Sequence, residues 1–319
     1  DLTAAMKADP EYPYLAGELL HLKMQGADWQ GYEALKTSID EGVRAGKRII
    51  RPFAYQAVSA SPADLRACSE IFAADQFAAV PSPAPQTRET GAKLRIGYVS
   101  ADFREQATAY LMAGLYEHHN RTAFEIIAFD NGGNDESPMR ARLQKAFAKF
   151  IDIHALSDDA AAATVRAEKI DILVNLNGYF GKPRMGVFAR RPAPVQVSYL
   201  GFPGTLGAPY IDYIIADTVV IPPGEDRFYT ESVVRLPGSY QVNDNKRAIA
   251  GNTSRAAHGL PDDAFVFCNF NQGYKLTPAI FDVWARILGA VPGSVLWLLD
   301  SHEGFRESLR CQAEARGIA

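Results

Sequence analysis

Four polar stretches of this sequence combine residue types that can hold a ligand or move a group. Ser100-Ala-Asp-Phe-Arg-Glu-Gln106-Ala-Thr108 follows an apolar run and leads into a helical pattern. A polar loop that enters a helix can hold anions or polar ligand groups, because the first backbone N–H groups of the helix point outward there. The plainer reading, in which Thr108 is an N-cap and Asp102 a turn residue, is favoured about two to one on the residues alone. Asn175-Leu-Asn177-Gly178-Tyr179-Phe-Gly181-Lys182 offers two amides on permissive backbone after another apolar run, and a ligand contact and an ordinary turn weigh equally. The densest stretch is Arg190 to Ala208, with prolines around a strand and then Gly201-Phe-Pro203-Gly204-Thr205-Leu-Gly207. It is too rich in Gly and Pro for helix or strand, and a rigid loop with free N–H groups suits a diphosphate or a sugar hydroxyl; a tight interdomain turn would read the same way. Last comes Asn269-Phe-Asn271-Gln272-Gly273-Tyr274-Lys275-Leu-Thr277-Pro278. Lys275, beside a helix start, is placed to neutralise a phosphate and Gln272 to offer an amide, against the background that most lysines are simply surface residues.

Other chemistries lack their residues. The six histidines have no partners at metal-ligand spacing, and there is no CxxC, so no metal site is expected. GxSxG, HExxH, GxxxxGK[ST] and GxGxxG are all missing, which counts against serine hydrolases, zinc proteases, P-loop NTPases and Rossmann dehydrogenases.

The elements that must position these loops change character along the chain. Residues 1–77 carry helix signals: an apolar stripe through Tyr14, Leu15, Leu19, Leu20, Leu22 and Met24, a second through Tyr32, Leu35, Ile39 and Val43 closed by Gly46, and a third over 63–72 opened by Ser61-Pro62. A period near 34 residues has no second clean copy. Pro81, Pro83 and Pro85 mark a polar linker over 78–92. From there short apolar runs at 94–100, 125–130, 150–153, 170–176, 195–201 and 213–217 alternate with helical segments. Runs such as Asp171-Ile-Leu-Val-Asn175 are apolar without alternation, as in strands buried on both faces, and the spacing suits βαβ crossovers of a doubly wound α/β lobe over 93–250. A second such unit starts at 251, with strands at 264–269 and 294–300 around a helix at 279–288, and is expected to be incomplete at 319.

The chain has 319 residues and a net charge of −4, with 33 Lys and Arg against 37 Asp and Glu; 47% of residues are hydrophobic and 22% charged. With no basic run, the charge that binds nucleic acid or an anionic membrane is missing, and no apolar stretch reaches about 18 residues, so no membrane span is expected. Cys68, Cys268 and Cys311 are odd in number and far apart, which fits a reducing, cytoplasmic setting better than a disulfide framework. A start at Asp1 without Met and an end just after a helical stretch suggest a piece of a longer protein.

Seven segments in order, at 94–103, 171–179, 191–196, 201–208, 212–215, 268–275 and 294–299, resemble the catalytic region of the O-linked N-acetylglucosamine transferases and the related SPINDLY proteins, in a bacterial form. The portion 12–72 is similar to the last tetratricopeptide-like helices before that region. The resemblance implies a GT-B glycosyltransferase: two Rossmann-like lobes with the site in the cleft between them, preceded by a helical neck, the second lobe cut short. It implies inverting transfer without a metal or cofactor, a UDP-GlcNAc donor, a Ser or Thr hydroxyl of a polypeptide as acceptor, and protein contacts through helical repeats upstream. It sets Gln272 and Lys275 against the nucleotide diphosphate and Pro203, Gly204 and Thr205 at the border of the sugar pocket. One departure matters: where the family reads Asp-Phe-x-x-His, this chain has Gln106, and an amide takes no proton at neutral pH. Asp171 or a donor phosphate oxygen is the alternative proton acceptor. Two competing readings are a SPINDLY-like fucosyltransferase using GDP-fucose, and a catalytically weak protein-binding scaffold.

Overall fold

The computed structural model describes residues 2–81 and 91–318. The chain forms two compact units, one joining Asp1–Ala60 with Ile249–Ala319 and the other comprising Ser61–Ala248. Of the linker expected at 78–92, residues 82–90, with Pro83 and Pro85, lie outside the described residues.

The first unit begins with four helices, α1 (Leu2–Ala8), α2 (Leu15–Gln25), α3 (Tyr32–Arg44) and α4 (Pro52–Gln56). The apolar spacing explains their inner faces: α2 buries Leu15, Leu20 and Met24, and α3 buries Tyr32, Ile39 and Val43. Leu22, counted in the α2 stripe, is instead 51% exposed, because position 22 lies about 160° around the helix from position 20.

The second unit opens with α5 (Pro62–Gln76), capped by the Ser61 hydroxyl, which accepts from Asp64 N–H at 3.2 Å, with Pro62 at the first helical position. In sequence this helix groups with the neck; in the structure it packs with the sheet. Phe72 meets the Tyr179 ring edge-on at 5.0 Å, and the Tyr210 hydroxyl donates to the Phe77 carbonyl at 3.0 Å. There follow β1 (Leu94–Ser100), α6 (Ala107–His118), β2 (Phe124–Asp130), α7 (Pro138–Ala146), β3 (Lys149–Asp152), α8 (Asp158–Ala167), β4 (Ile172–Asn175), α9 (Met185–Ala189), β5 (Val195–Ser198), β6 (Tyr213–Ala216) and β7 (Ser232–Arg235). All seven strands are parallel, in the order β3-β2-β1-β4-β5-β6-β7, with Ile96 of β1 paired to Ile126 on one side and Ile172 on the other. One face packs Ile96, Ile126 and Val174 against Met112 and Tyr116 of α6 and Leu143 of α7, so the unalternating strands are buried as their composition demands.

The first unit resumes with β8 (Val266–Asn269), α10 (Pro278–Ala290), β9 (Val295–Leu298) and α11 (Glu303–Glu314). β8 and β9 are parallel, Val266 opposite Val295. Thr277 caps α10, and the His302 ring caps α11, its Nδ1 accepting from Phe305 N–H at 3.1 Å. Within this unit Trp29 packs edge-on against Phe281 at 5.3 Å, and Tyr274 lies 5.2 Å from His21 and 5.6 Å from Phe53.

Candidate active site

The strand order of the sheet reverses between β1 and β4. At such a switch point the loops leaving the two strands diverge and open a crevice at their carboxyl ends, where open α/β sheets bind ligands. The loops that line it are 100–106 and 175–182.

Their polar side chains mostly serve each other. Asn177 accepts from Ala101 N–H through Oδ1 and donates from Nδ2 to Asp102 Oδ2, both at 2.8 Å. Asn175 Oδ1 accepts from the N–H groups of Asn177 at 3.0 Å and Gly178 at 2.8 Å. The two amides that offered themselves as ligand contacts are therefore turned inward, Asn177 joining the β1 loop to the β4 loop and Asn175 bracing the β4 loop itself. Burial pushes the Asp102 carboxyl above its usual range, more than the Asn177 hydrogen bond and the Arg104 guanidinium at 3.9 Å pull it down. Gln106 is the N-cap of α6, its Oε1 accepting from Thr108 N–H at 2.7 Å; the cap falls on Gln106 and not on Thr108, which lies inside the helix.

Neighbouring loops brace this edge. Beside the crevice, a Cβ on Gly132 would fall 1.9 Å from the Ala101 carbonyl oxygen. The buried Arg140 pairs with Asp130 at 2.6 Å and donates to the carbonyls of Phe103 and Gly133 at 3.2 Å. On the other side, a Cβ on Gly201 would fall 1.8 Å from the Leu176 carbonyl oxygen, so only glycine lets the β5 loop lie this close to the β4 loop. Pro203 is exposed and Gly204 half-buried at the tip of that loop. Thr205 is buried and turned away, its hydroxyl donating to Glu231 Oε2 at 2.7 Å and accepting from Gly207 and Thr230 N–H at 3.2 Å. Of the three residues assigned to the sugar border, the loop presents two.

Asp171 is not brought to this edge. It precedes β4, where its Oδ2 accepts from Arg95 N–H at 2.8 Å, and the four residues of β4 set it roughly 13 Å from the carboxyl end. In Asp171-Ile-Leu-Val-Asn175 the acid enters the strand and the amide leaves it, so the two belong to opposite edges.

In the other unit, Gln272 precedes and Lys275 ends a 3₁₀ turn after β8, Gly273–Lys275, and both are exposed. Lys275 Nζ has Asn271 Oδ1 at 3.4 Å and the Tyr274 ring at 5.9 Å, and among the described residues no carboxylate pairs with it. This ammonium is uncommitted at a strand's carboxyl end. Among the described residues no group of three or more His, Cys, Asp or Glu could hold a metal ion, and no helix is long and apolar enough to cross a membrane.

Sequence reasoning missed Glu231, Arg140 and the inward role of Asp102. Glu231 and Arg140 carry no local signal, since each acts on a loop distant in sequence.

A family model, glycosyl transferase family 41, matches residues 78–252 and 249–319. The chain is 43% identical over 245 residues to the "Probable UDP-N-acetylglucosamine–peptide N-acetylglucosaminyltransferase SEC" of Arabidopsis thaliana, covering 75% of the chain and 25% of that protein. It is 34% identical over 206 residues to the tomato (Solanum lycopersicum) protein of the same descriptive name with the designation SPINDLY, covering 64% of the chain and 22% of that protein. The chain thus spans about a quarter of the length of these curated relatives. Among solved structures it is similar to a mutant of the Thermobaculum terrenum O-GlcNAc transferase, with a TM-score of 0.81 at 29% identity over 100% of this chain and 61% of that one.

Proposed function

Because the chain belongs to glycosyl transferase family 41, we propose that the protein moves N-acetylglucosamine from UDP-GlcNAc onto serine or threonine hydroxyls of polypeptides, inverting the anomeric carbon and using no metal or other cofactor. The names of its relatives and its likeness to an O-GlcNAc transferase support this reading. The observation that carries it is Lys275, an exposed ammonium after a parallel strand with no carboxylate partner among the described residues.

The chemistry asks for three things. As the acceptor oxygen attacks the anomeric carbon, the bond to the diphosphate breaks and charge grows on the leaving phosphate; Lys275 offsets it, and Gln272 contributes an amide. The exposed Pro203-Gly204 tip borders the sugar. The acceptor must also lose a proton, which Gln106 cannot take and Asp171 is too far from the carboxyl edge to take, so the proton passes to a donor phosphate oxygen. The reaction is assigned to the cytoplasm, which three cysteines, odd in number and far apart in sequence, support.

Radiolabel transfer from UDP-GlcNAc and from GDP-fucose tests the reading. GlcNAc incorporation is expected, and Lys275→Ala should lower kcat about 10²–10³-fold, the scale of losing one transition-state charge partner, without loss of folding because the side chain is exposed. A Lys275→Ala protein that turns over like the wild type would overturn the assignment of Lys275. Fucose incorporation alone would favour the SPINDLY-like reading, and no transfer with retained binding of a protein partner would favour the scaffold.

A further inference from the structure

Glu231 is 3% exposed, lies in the turn before β7, and has no ion-pair partner among the described residues. An acid buried without a cation is costly unless donors surround it. Here they do: Leu206 N–H donates to Oε1 at 2.7 Å, the Thr205 hydroxyl to Oε2 at 2.7 Å, and the Thr230 hydroxyl to Oε2 at 3.2 Å. The acid is itself fixed by the sheet, since the next residue, Ser232, donates its N–H to the Asp212 carbonyl at 2.9 Å and pairs with Tyr213 of β6.

Two of these donors, Leu206 N–H and the Thr205 hydroxyl, lie on one side of the Gly201–Ala208 loop. The other side is set by the close approach of Gly201 to the Leu176 carbonyl. Between the two anchors lies the Phe202-Pro203-Gly204 tip, with Phe202 buried and Pro203 exposed. We propose that Glu231 is a positioning residue for glycosyl transfer: acting through Thr205 and Leu206, it fixes the Pro203-Gly204 tip that borders the donor sugar. The inference rests on the proposed transferase activity and deepens it, assigning Thr205 the receiving end of this clamp in place of a direct sugar contact.

Glu231→Gln is the discriminating variant. The amide oxygen can still accept from Leu206 N–H, but the new NH2 group faces a Thr205 hydroxyl that already accepts from Gly207 and Thr230. Thr205→Val removes the hydroxyl, and Thr205→Ser restores it. Glu231→Gln and Thr205→Val should each raise the KM for the sugar nucleotide about 10–100-fold, the cost of a lost hydrogen bond to a charged group. The KM for the peptide should stay unchanged, and Thr205→Ser should recover most of what Thr205→Val loses. The double variant should be no worse than the poorer single one. Independently of turnover, amide exchange at Gly207 and Thr230, whose N–H groups rest on the Thr205 hydroxyl, should quicken in Glu231→Gln. Unchanged exchange, an unchanged KM in a folded Glu231→Gln protein, or multiplying losses in the double variant would overturn the inference. Absence of transfer by the wild type, with exchange quickened as expected, would instead overturn the transferase reading and leave the clamp standing.

Discussion

Gln106 holds its Oε1 on the Thr108 amide, so its side chain serves the helix start of α6 before it serves any substrate. A histidine at this position would keep that service, as the same chain demonstrates at α11, where His302 Nδ1 accepts from Phe305 N–H at 3.1 Å. In the neutral ring that cap places the proton on the outward Nε2, so the imidazole can take a proton from an acceptor only by leaving the cap and turning a free ring nitrogen outward. Gln106→His should therefore raise the transfer rate by about tenfold, the lower reach of general-base catalysis, only at the expense of the cap, with about 0.5–2 kcal/mol lost from stability. An unchanged single-turnover rate would show that proton removal at this position is not limiting. The same residue scale explains why Asn175 and Asn177 were ambiguous in sequence. An amide carries the same donors and acceptors whether it faces a ligand or a neighbouring loop; the positions of Ala101 N–H and Asp102 decide that Asn177 faces inward, and the N–H groups of Asn177 and Gly178 decide it for Asn175.

At the scale of elements, much of the fold was legible because the signals are local. The run 94–100 matches β1 to the residue, Ser61-Pro62 and Thr277-Pro278 mark true helix starts, and the unalternating apolar runs are strands of a parallel sheet. What was not legible depends on partners far along the chain. β7 was missed because Ser232-Val-Val-Arg235 is four residues long, half-exposed, and at the sheet's edge, where one side needs no pairing. The stripe of α5 announces a buried face without naming what covers it, so its place beside the sheet had to come from Phe72 and Tyr179. The Gly-rich loop was recognised as rigid, but the reason, a carbonyl 1.8 Å from where a Cβ on Gly201 would be, is purely spatial. Gly201→Ala puts that methyl against backbone, which gives way less readily than a side chain. It should cost about 1–3 kcal/mol by overpacking, read as a lower urea midpoint at unchanged slope. An unshifted midpoint would mean that the β4 and β5 loops separate freely.

For the whole molecule, the near-balanced charge of −4 conceals two populations of acids whose effects on stability run in opposite directions with pH. Glu117 accepts from Arg142 Nε at 2.7 Å and from Lys246 Nζ at 2.8 Å, and these hydrogen bonds, with the charges behind them, hold its carboxyl at about 2 against an ordinary 4.5. The unfolded chain then binds the extra proton between those values, so this stabilisation is complete above pH 4.5 and is lost as pH falls toward 2. Asp102 has the opposite sign. Burial raises its carboxyl above the ordinary 3.8, the folded state holds the proton more tightly, and stability declines as pH rises from 3.8 through the folded value. Denaturation of wild type, Glu117→Gln and Asp102→Asn over pH 2–8 separates the two. Glu117→Gln should lose its deficit relative to wild type as the pH drops to 2. Asp102→Asn, whose amide oxygen can still accept from Asn177, should gain on the wild type as pH rises above 3.8, because it has no charge to bury. A pH-independent difference for Asp102→Asn would show that the carboxylate is solvated in the folded state, and with that the tight joining of the β1 and β4 loops at the switch point would fall.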